Sequence, residues 1–425
     1  METLRYGSFG PIVELLQSIL KKLGYYKGNI TGRYGEETQK AVAAFQKSYG
    51  LLVDGIVQNR TWRRLHPYIN GYSVYTVKLG DTLYNIAEKF DTSIYRIIVA
   101  NPNINLDTIY EGQEIIIPFG NIINTNISYS FRILDMNINA LSTVYPFLEV
   151  GSIGRSVLGR NIPYIRIGRG KKEVFYNASF HANEWITTPI LMNYIEEFSK
   201  ACAEGTNIYG YSAREIYDEV SLYIVPMVNP DGVDLVTGDI KSGMEVYASV
   251  KEMSENYPDI PFPNGWKANI NGVDLNLQYP AGWEQAKKTK FSQGYTKPGP
   301  RDYVGEFPLS ESESKAVYNF TIKHDFKLIL AYHTQGKVIY WKYLDYLPEK
   351  SEYIAERFSE SSGYLLEETP FESSFAGYKD WFIQEYNRPG YTIEAGLGEN
   401  PLPISQFDTI YSENIGILTL GAVLS

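Results

Sequence analysis

The chain of 425 residues has four histidines, and two of them stand where they could bind a metal ion. His181 and Glu184 follow the apolar run "EVFYNASF", which has the composition of a buried strand. Zinc accepts imidazole nitrogen and carboxylate oxygen, and a catalytic zinc site has three protein ligands and one open position. The pair therefore supplies two candidate ligands and requires a third.

His333 is the candidate for the third ligand. It follows the apolar run "KLILAY", whereas His66 lies near the N-terminus and His324 lies at a predicted helix end. In open α/β sheets, ligand sites collect at the C-terminal ends of the strands, so we expect His181 and His333 to converge on one edge. The sequence thus predicts a site for one zinc ion per chain.

A zinc hydrolase also needs a general base that takes a proton from water. Glu394 ends the apolar run "GYTIE", and a carboxylate inside a buried strand is costly unless it has a role or a partner. Asp274, in "NGVDLNLQYP", could orient His181 by accepting a hydrogen bond from its other ring nitrogen. Glu394 is therefore a candidate base and Asp274 a candidate positioning residue.

The composition places these residues in an acidic globular protein. The chain is 44% hydrophobic and carries a formal net charge of −10, which does not favour a nucleic-acid partner because phosphate binding needs a basic face. No run of about 18 apolar residues predicts a membrane span, and the N-terminus lacks the features of a signal peptide. The single cysteine, Cys202, excludes an intrachain disulfide.

The elements that must position the metal site lie in residues 125–425. Continuous apolar runs such as "SLYIVPMVN" alternate there with helical stretches such as "TTPILMNYIEEFSKAC". This alternation predicts an α/β domain with a mostly parallel, buried sheet. Residues 120–130 are polar and without periodicity, and they read as a linker to two smaller units in front.

Residues 1–70 predict a small three-helix unit. Val13, Leu16, Leu20 and Leu23 follow helical spacing, and glycine-rich turns separate the later helices. The pattern L-Q-x-x-L-x-x-L-G-Y-Y, followed by A-V-x-x-F-Q and V-D-G-I-V, resembles the peptidoglycan-binding type 1 domain. A generic three-helix bundle is the alternative.

Residues 72–119 predict a second small unit, with a strand at each end and two short helices between them. Its pattern Y-T-V-x-x-G-D-T-L, I-A-x-x-F and G-Q-x-I-x-I-P resembles a LysM domain of βααβ order. LysM domains bind glycans that contain N-acetylglucosamine, and the same positions could instead only cap helices and form turns. The resemblance implies glycan contacts near Gly80, Asp81, Thr82, Asn101 and Ile104.

The large domain resembles the M14 zinc carboxypeptidases. H-x-x-E, G-V-D-L-N, a strand ending in histidine and T-I-E-A-G occur in that order. The resemblance implies zinc binding by His181, Glu184 and His333, with Glu394 as general base and Asp274 holding His181. It also implies a three-layer α/β/α fold around a mixed sheet.

The chain departs from the family pattern at the substrate-binding positions. Asn276 is kept, but Leu277 stands where an arginine is expected to bind the C-terminal carboxylate of the substrate. Lys267, after a tryptophan, keeps the positive charge that stabilises the oxyanion. In place of the family tyrosine the register gives Glu372, with Tyr378 nearby, so either could contact substrate. The missing arginine argues against a plain C-terminal carboxypeptidase.

Two wall-binding modules in front of a zinc peptidase resemble the architecture of γ-D-glutamyl-L-diamino acid endopeptidases. These enzymes cut between γ-D-glutamate and the diamino acid, usually meso-diaminopimelate, of peptidoglycan stem peptides. The expected partners are therefore peptidoglycan glycan strands and stem peptides, and two binders on one chain raise the effective concentration at the polymer. Glu372 could bind the free ammonium group of the diamino acid.

Three other functions stay open at this point. A metallocarboxypeptidase could release C-terminal residues from the same stem peptides, and an acylase or amidase could use the same zinc core. A non-catalytic wall-anchoring protein is the alternative from a different class. Without a signal peptide, the expected location is cytoplasmic, forespore or spore-associated, which is compatible with a role in sporulation.

Overall fold

A computed structural model describes residues 1–105 and 108–425. The chain divides into two compact units. One comprises Met1–Leu148 and Glu196–Thr206, and the other comprises Glu149–Ile195 and Asn207–Ser425. The finer division into domains at 1–70, 72–119 and 125–425 stays a prediction.

The N-terminal unit begins with the helices that the sequence predicts. They are α1 (Pro11–Lys22), α2 (Glu36–Ser48) and α3 (Asn59–Asn70). Leu16 and Leu20 of α1 are fully buried, as are Val42 of α2 and Leu65 of α3. Helical spacing of these apolar residues gives each helix one buried face, which explains why the three short helices pack together.

The next elements of this unit follow the βααβ order. They are β1 (Tyr72–Thr76), α4 (Leu83–Lys89), α5 (Ile94–Ala100) and β2 (Glu114–Pro118). The two strands pair antiparallel. Thr82 and Ser93 begin the two helices, since their hydroxyl groups accept hydrogen bonds from the Asn85 and Arg96 N–H groups at 3.1 and 3.2 Å.

The C-terminal unit contains an eight-stranded sheet and a small hairpin whose two strands have two residues each. The strands are β3 (Glu149–Arg155), β4 (Asn161–Ile167), β5 (Lys172–Ala178), β6 (Asn207–Ile208), β7 (Tyr211–Ser212), β8 (Val220–Val225), β9 (Phe326–His333), β10 (Val338–Tyr340), β11 (Leu365–Glu367) and β12 (Gly390–Glu394). The large sheet has the order β11-β10-β12-β9-β5-β8-β4-β3. Strands β12, β9, β5 and β8 are mutually parallel at its centre. Antiparallel pairs on both sides make the sheet mixed, as expected.

Helices cover both faces of this sheet. The helices that begin in this unit are α7 (Thr187–Glu204), α8 (Ala213–Glu219), α9 (Pro230–Thr237), α10 (Glu245–Ser254), α11 (Trp283–Ser292), α12 (Ser312–Thr321), α13 (Ser351–Ser362), α14 (Tyr378–Tyr386) and α15 (Phe407–Val423), whereas α6 (Phe131–Val144) belongs to the N-terminal unit. Phe175 and Tyr176 are neighbours in β5, so their side chains point to opposite faces. Phe175 packs in a core cluster with Phe320 of α12 and Phe382 of α14. The Tyr176 hydroxyl donates to the Leu418 carbonyl of α15, which places α15 on the other face. The three-layer α/β/α prediction is confirmed.

No helix of the residues that the structure describes is long and apolar enough to cross a membrane.

Candidate metal centre and substrate pocket

The candidate metal centre lies at the C-terminal ends of three parallel strands. His333 ends β9 and Glu394 ends β12, and these two residues are paired across the strands. His181 follows the end of β5 by three residues. The edge predicted from the apolar runs is therefore the edge at which these residues meet.

A sharp turn after β5 aims His181 and Glu184 at the same point. Ser179 has a φ of 50°, a left-handed conformation that few residues adopt without support. Its buried hydroxyl group lies 3.0 and 2.8 Å from the hydroxyl groups of Thr187 and Thr188, which hold the turn. The short 3-10 helix Ala182–Glu184 then brings the Glu184 carboxylate back over the imidazole.

Two imidazole nitrogens and one carboxylate form a compact, buried ligand set. The Nδ1 atoms of His181 and His333 lie 2.9 and 3.0 Å from the two carboxylate oxygens of Glu184, and 3.2 Å from each other. Ligand atoms that share a tetrahedral zinc ion at about 2.0–2.1 Å lie about 3.3 Å apart. The donor types and spacing fit zinc, and the cluster could hold one metal ion.

Asp274 fixes the orientation of His181. Its Oδ1 atom lies 3.2 Å from His181 Nε2, so the imidazole can donate there while Nδ1 faces Glu184. The Asp274 carboxylate also accepts hydrogen bonds from the backbone N–H groups of Asn276 and Asp302, at 3.1 and 3.3 Å. These bonds hold the carboxylate where the sequence predicts it.

Charge and burial act in opposite directions on the ionisable groups of the centre. Burial alone would lower the pKa of His181, but the carboxylates of Glu184 and Asp274 outweigh it and raise this pKa to about 9. Burial lowers the pKa of His333. Burial and the nearby charge of Glu184 raise the pKa of Glu394 to about 8. A bound cation would counteract that shift by stabilising the carboxylate.

Lys267 brings a positive charge to the same pocket. Its Nζ atom lies 3.5 Å from Glu184 Oε1, and its side chain is 19% exposed. Its backbone is fixed on both sides, because the Ala182 N–H donates to the Lys267 carbonyl and the Lys267 N–H donates to the Pro300 carbonyl. The lysine is thus anchored beside the metal ligands and still borders the cavity.

The cavity above the metal centre has further walls that the sequence did not reveal. His181, His333, Lys267 and Glu394 line it, together with Asn276 and Leu277. The charged residues that were missed are Lys290, Arg301, Asp302, Lys379 and Asp380. Arg301 and Asp302 lie in the loop "KPGPRDYVG", whose only signal was a charged pair between turn residues.

Neither candidate for the family tyrosine is among the residues that line the pocket. Tyr378 is fully buried in the core, and its hydroxyl group lies 2.9 Å from that of Thr321. Only its backbone N–H turns towards the pocket, where it donates to Asn276 Oδ1. Glu372 is exposed in the 3-10 helix Phe371–Ser373, beside residues that line the cavity. Substrate contact by either side chain stays a prediction without a contact to support it.

The residues suggested for glycan binding have bonds inside their own unit. Asp81 accepts from the Lys78 N–H and the Tyr75 hydroxyl, and Asn101 bonds to the backbone of Ile97 and Ile116. Thr82 caps α4, Gly80 has a φ of 85°, and Ile104 packs against the core of this unit. These contacts are structural, and glycan binding at these positions stays a prediction.

The fold and the metal centre together define a zinc-dependent hydrolase of the α/β/α class. Residues 134–416 match the zinc carboxypeptidase family, peptidase M14, and the chain belongs to this family. Residues 9–65 match a putative peptidoglycan binding domain, and residues 75–118 match the LysM domain. The chain is therefore a zinc metallopeptidase with two N-terminal modules that point to peptidoglycan.

Two curated relatives each match more than two thirds of the chain. The chain is 46% identical to γ-D-glutamyl-L-diamino acid endopeptidase 1 of Lysinibacillus sphaericus over 303 residues, which are 71% of this chain and 74% of that protein. It is 42% identical to the uncharacterized protein YqgT of Bacillus subtilis, over 68% of this chain and 76% of that one. The carboxypeptidase A structure from Helicoverpa armigera superimposes with a TM-score of 0.54 at 16% identity, covering 98% of this chain and 97% of that chain. That likeness supports the fold.

Proposed function

We propose that this protein hydrolyses the bond between γ-D-glutamate and meso-diaminopimelate in peptidoglycan stem peptides, while its N-terminal modules bind the glycan. The observation that carries this proposal is the 46% identity to a γ-D-glutamyl-L-diamino acid endopeptidase over most of both chains. Leu277 supports it, because a leucine that lines the pocket cannot bind a C-terminal carboxylate as arginine does.

The chemistry follows from the positions of the side chains. His181, Glu184 and His333 would hold a zinc ion, which would act as a Lewis acid and lower the pKa of water in the site. Glu394 takes the proton from the attacking water and returns it to the leaving amine. Lys267 stabilises the negative charge that develops on the carbonyl oxygen.

Asn276 is the remaining candidate for substrate contact. Its Oδ1 atom accepts the Tyr378 N–H at 2.9 Å, which fixes the side-chain amide. Since an asparagine amide has one acceptor end and one donor end, the NH₂ group is left for an acceptor on the substrate. Asn276 lines the cavity, so this donor is within the region that the stem peptide would occupy.

Mass spectrometry of products from defined stem peptides tests the proposal. Tri-, tetra- and pentapeptides with meso-diaminopimelate should each give L-alanyl-γ-D-glutamate and a fragment that begins with diaminopimelate. Stepwise loss of C-terminal residues with an intact γ-D-glutamyl bond would instead identify a carboxypeptidase. An inactive protein with stoichiometric zinc would favour the wall-anchoring alternative.

Sedimentation with insoluble peptidoglycan tests the second half of the proposal. The protein should pellet with the polymer, and soluble oligomers of N-acetylglucosamine should compete for it. The same oligomers should leave hydrolysis of a soluble tripeptide unchanged, because that substrate has no glycan. Equal sedimentation with and without competitor would contradict glycan binding by the modules.

A further inference from the structure

The pocket contains an arginine that has unused hydrogen-bond donors. Arg301 lines the cavity, and its Nε atom lies 2.6 Å from Asp302 Oδ2. In the part of the chain that the structure describes, its two terminal nitrogens have no hydrogen bond to the protein, and the side chain is 42% exposed. A guanidinium group held through Nε presents its other nitrogens as a planar fork, which matches a carboxylate.

Two lysines of the pocket, Lys290 and Lys379, differ from Arg301 because they are buried together with their partners. Lys290 is buried and lies 2.7 Å from Asp302 Oδ1. Lys379 is also buried, and it pairs with Asp380 at 2.6 Å and donates to the Lys342 carbonyl. The charges of both lysines are therefore paired with carboxylates inside the wall of the pocket.

The position of Arg301 is fixed relative to the catalytic groups. The Pro300 carbonyl, one residue before it, accepts the backbone N–H groups of Lys267 and Ala268 at 2.7 and 3.0 Å. The Asp302 N–H, one residue after it, donates to the Asp274 carboxylate that orients His181. Arg301 therefore lies on a short backbone segment tied on one side to Lys267 and on the other to the metal centre.

We propose that Arg301 is a specificity-determining residue that binds a carboxylate of the substrate next to the scissile bond. It takes over the type of contact that Leu277 cannot make, from a different loop. This inference rests on the proposed function, since a γ-linked glutamyl–diaminopimelyl substrate has free carboxylates on both sides of the bond. The α-carboxylate of glutamate and a carboxylate of diaminopimelate share the chemistry that Arg301 would recognise.

Steady-state kinetics on four matched substrates tests this proposal. They are L-alanyl-γ-D-glutamyl-meso-diaminopimelate, its glutamyl α-carboxamide and its two diaminopimelyl monocarboxamides. The wild type should cleave one amide on the order of 10- to 100-fold less efficiently in kcat/KM than the free acid, because hydrogen bonds to a charged group are lost. The amide that loses efficiency identifies the carboxylate.

Variants of Arg301 test whether this residue causes the difference in kcat/KM between the free acid and the amide. Arg301→Gln should lower kcat/KM on the free acid by the same factor and leave that amide within about twofold of wild type. Arg301→Lys keeps the charge but not the planar fork, so its kcat/KM on the free acid should lie between those of wild type and Arg301→Gln. Arg169→Gln is the matched control, because Arg169 also pairs through Nε with an aspartate, Asp218, but is 72% exposed, and it should change nothing.

Each outcome bears on one proposal or the other. Equal losses by Arg301→Gln on acid and amides, or no loss on any, would overturn the role of Arg301. Zinc content and thermal unfolding should match wild type, and if Arg301→Gln does not fold, the acid-to-amide ratio of Arg301→Lys decides. If the wild type cuts a different bond, the proposed function fails, and the acid-to-amide ratios at that bond still test Arg301.

Discussion

The pocket has two walls that are built in different ways. On the strand wall, His333 and Glu394 end β9 and β12, where the hydrogen-bonded ladder fixes them, and His181 lies in the turn three residues after β5. The loop wall carries Lys267 and Arg301, and its segments are held by bonds between one another. The strand wall can hold a metal with little freedom, whereas the loop wall can change its recognition groups without disturbing the sheet. The candidate metal ligands His181 and His333 and the candidate base therefore lie on the strand wall, and the two cations that face the substrate lie on the loop wall.

Removing the base on the strand wall should have the largest effect. Glu394→Gln keeps the size of the side chain but cannot accept the proton, so we expect kcat to fall by about 10³-fold. Zinc content should remain one per chain, because His181, Glu184 and His333 are unchanged. Hydrolysis of a stem tripeptide and elemental analysis of the purified protein measure the two quantities. A variant that retains a tenth of the wild-type rate would refute the role of Glu394.

Removing the positive charge of Lys267, which stabilises the oxyanion from the loop wall, should have a smaller effect. Lys267→Met should lower kcat by about 10²-fold with little change in KM, because the interaction strengthens only as charge develops. Lys267→Arg should recover much of the rate, since the charge is kept. Pre-steady-state and steady-state kinetics on one tripeptide distinguish these effects. A change confined to KM would show that Lys267 binds the ground state instead.

The two walls also differ in how far the sequence predicted them. An apolar run that ends in His333 or Glu394 shows both the strand and its end, and parallel strands bring such ends together. The loop wall has no comparable sequence pattern. Hydrogen bonds from the residues on either side of Arg301 to Lys267 and Asp274 bring Arg301 to the pocket, and no local pattern encodes them. The family pattern placed Lys267 and Asn276 beside the pocket, but its register could not show that Tyr378 turns into the core.

The loop wall depends on buried carboxylates, which should make its stability sensitive to pH. Asn269, which accepts the Val273 N–H just before Asp274, donates to Glu311 and Glu313 at 2.7 and 3.3 Å. Burial raises the pKa of Glu313 from 4.5 to about 7. Unfolding releases this proton between those two pH values, so the folded state should lose roughly 2 kcal/mol of stability from pH 5 to pH 8.

Glu313→Gln should remove that part of the pH dependence. Urea unfolding at a series of pH values would show a flatter profile than wild type between pH 5 and pH 8, with unchanged slopes at each transition. The exposed Glu352, in the first turn of α13, provides the control substitution, Glu352→Gln, which should leave the profile as it is. A Glu313→Gln profile that parallels wild type would show that Glu313 is not the titrating group.

In the small N-terminal modules, a polar side chain can stabilise the fold, contact a glycan, or do both. The Thr82 hydroxyl accepts the Asn85 N–H at the start of α4, so Thr82→Ala should cost about 1 kcal/mol of stability, and Thr82→Ser should cost little. If the hydroxyl only caps the helix, glycan affinity measured by calorimetry well below the unfolding temperature should be equal in all three proteins. A loss of affinity in Thr82→Ala that Thr82→Ser restores, at a temperature where both are folded, would instead place this hydroxyl in the glycan site. Thr82 would then both cap α4 and contact the glycan.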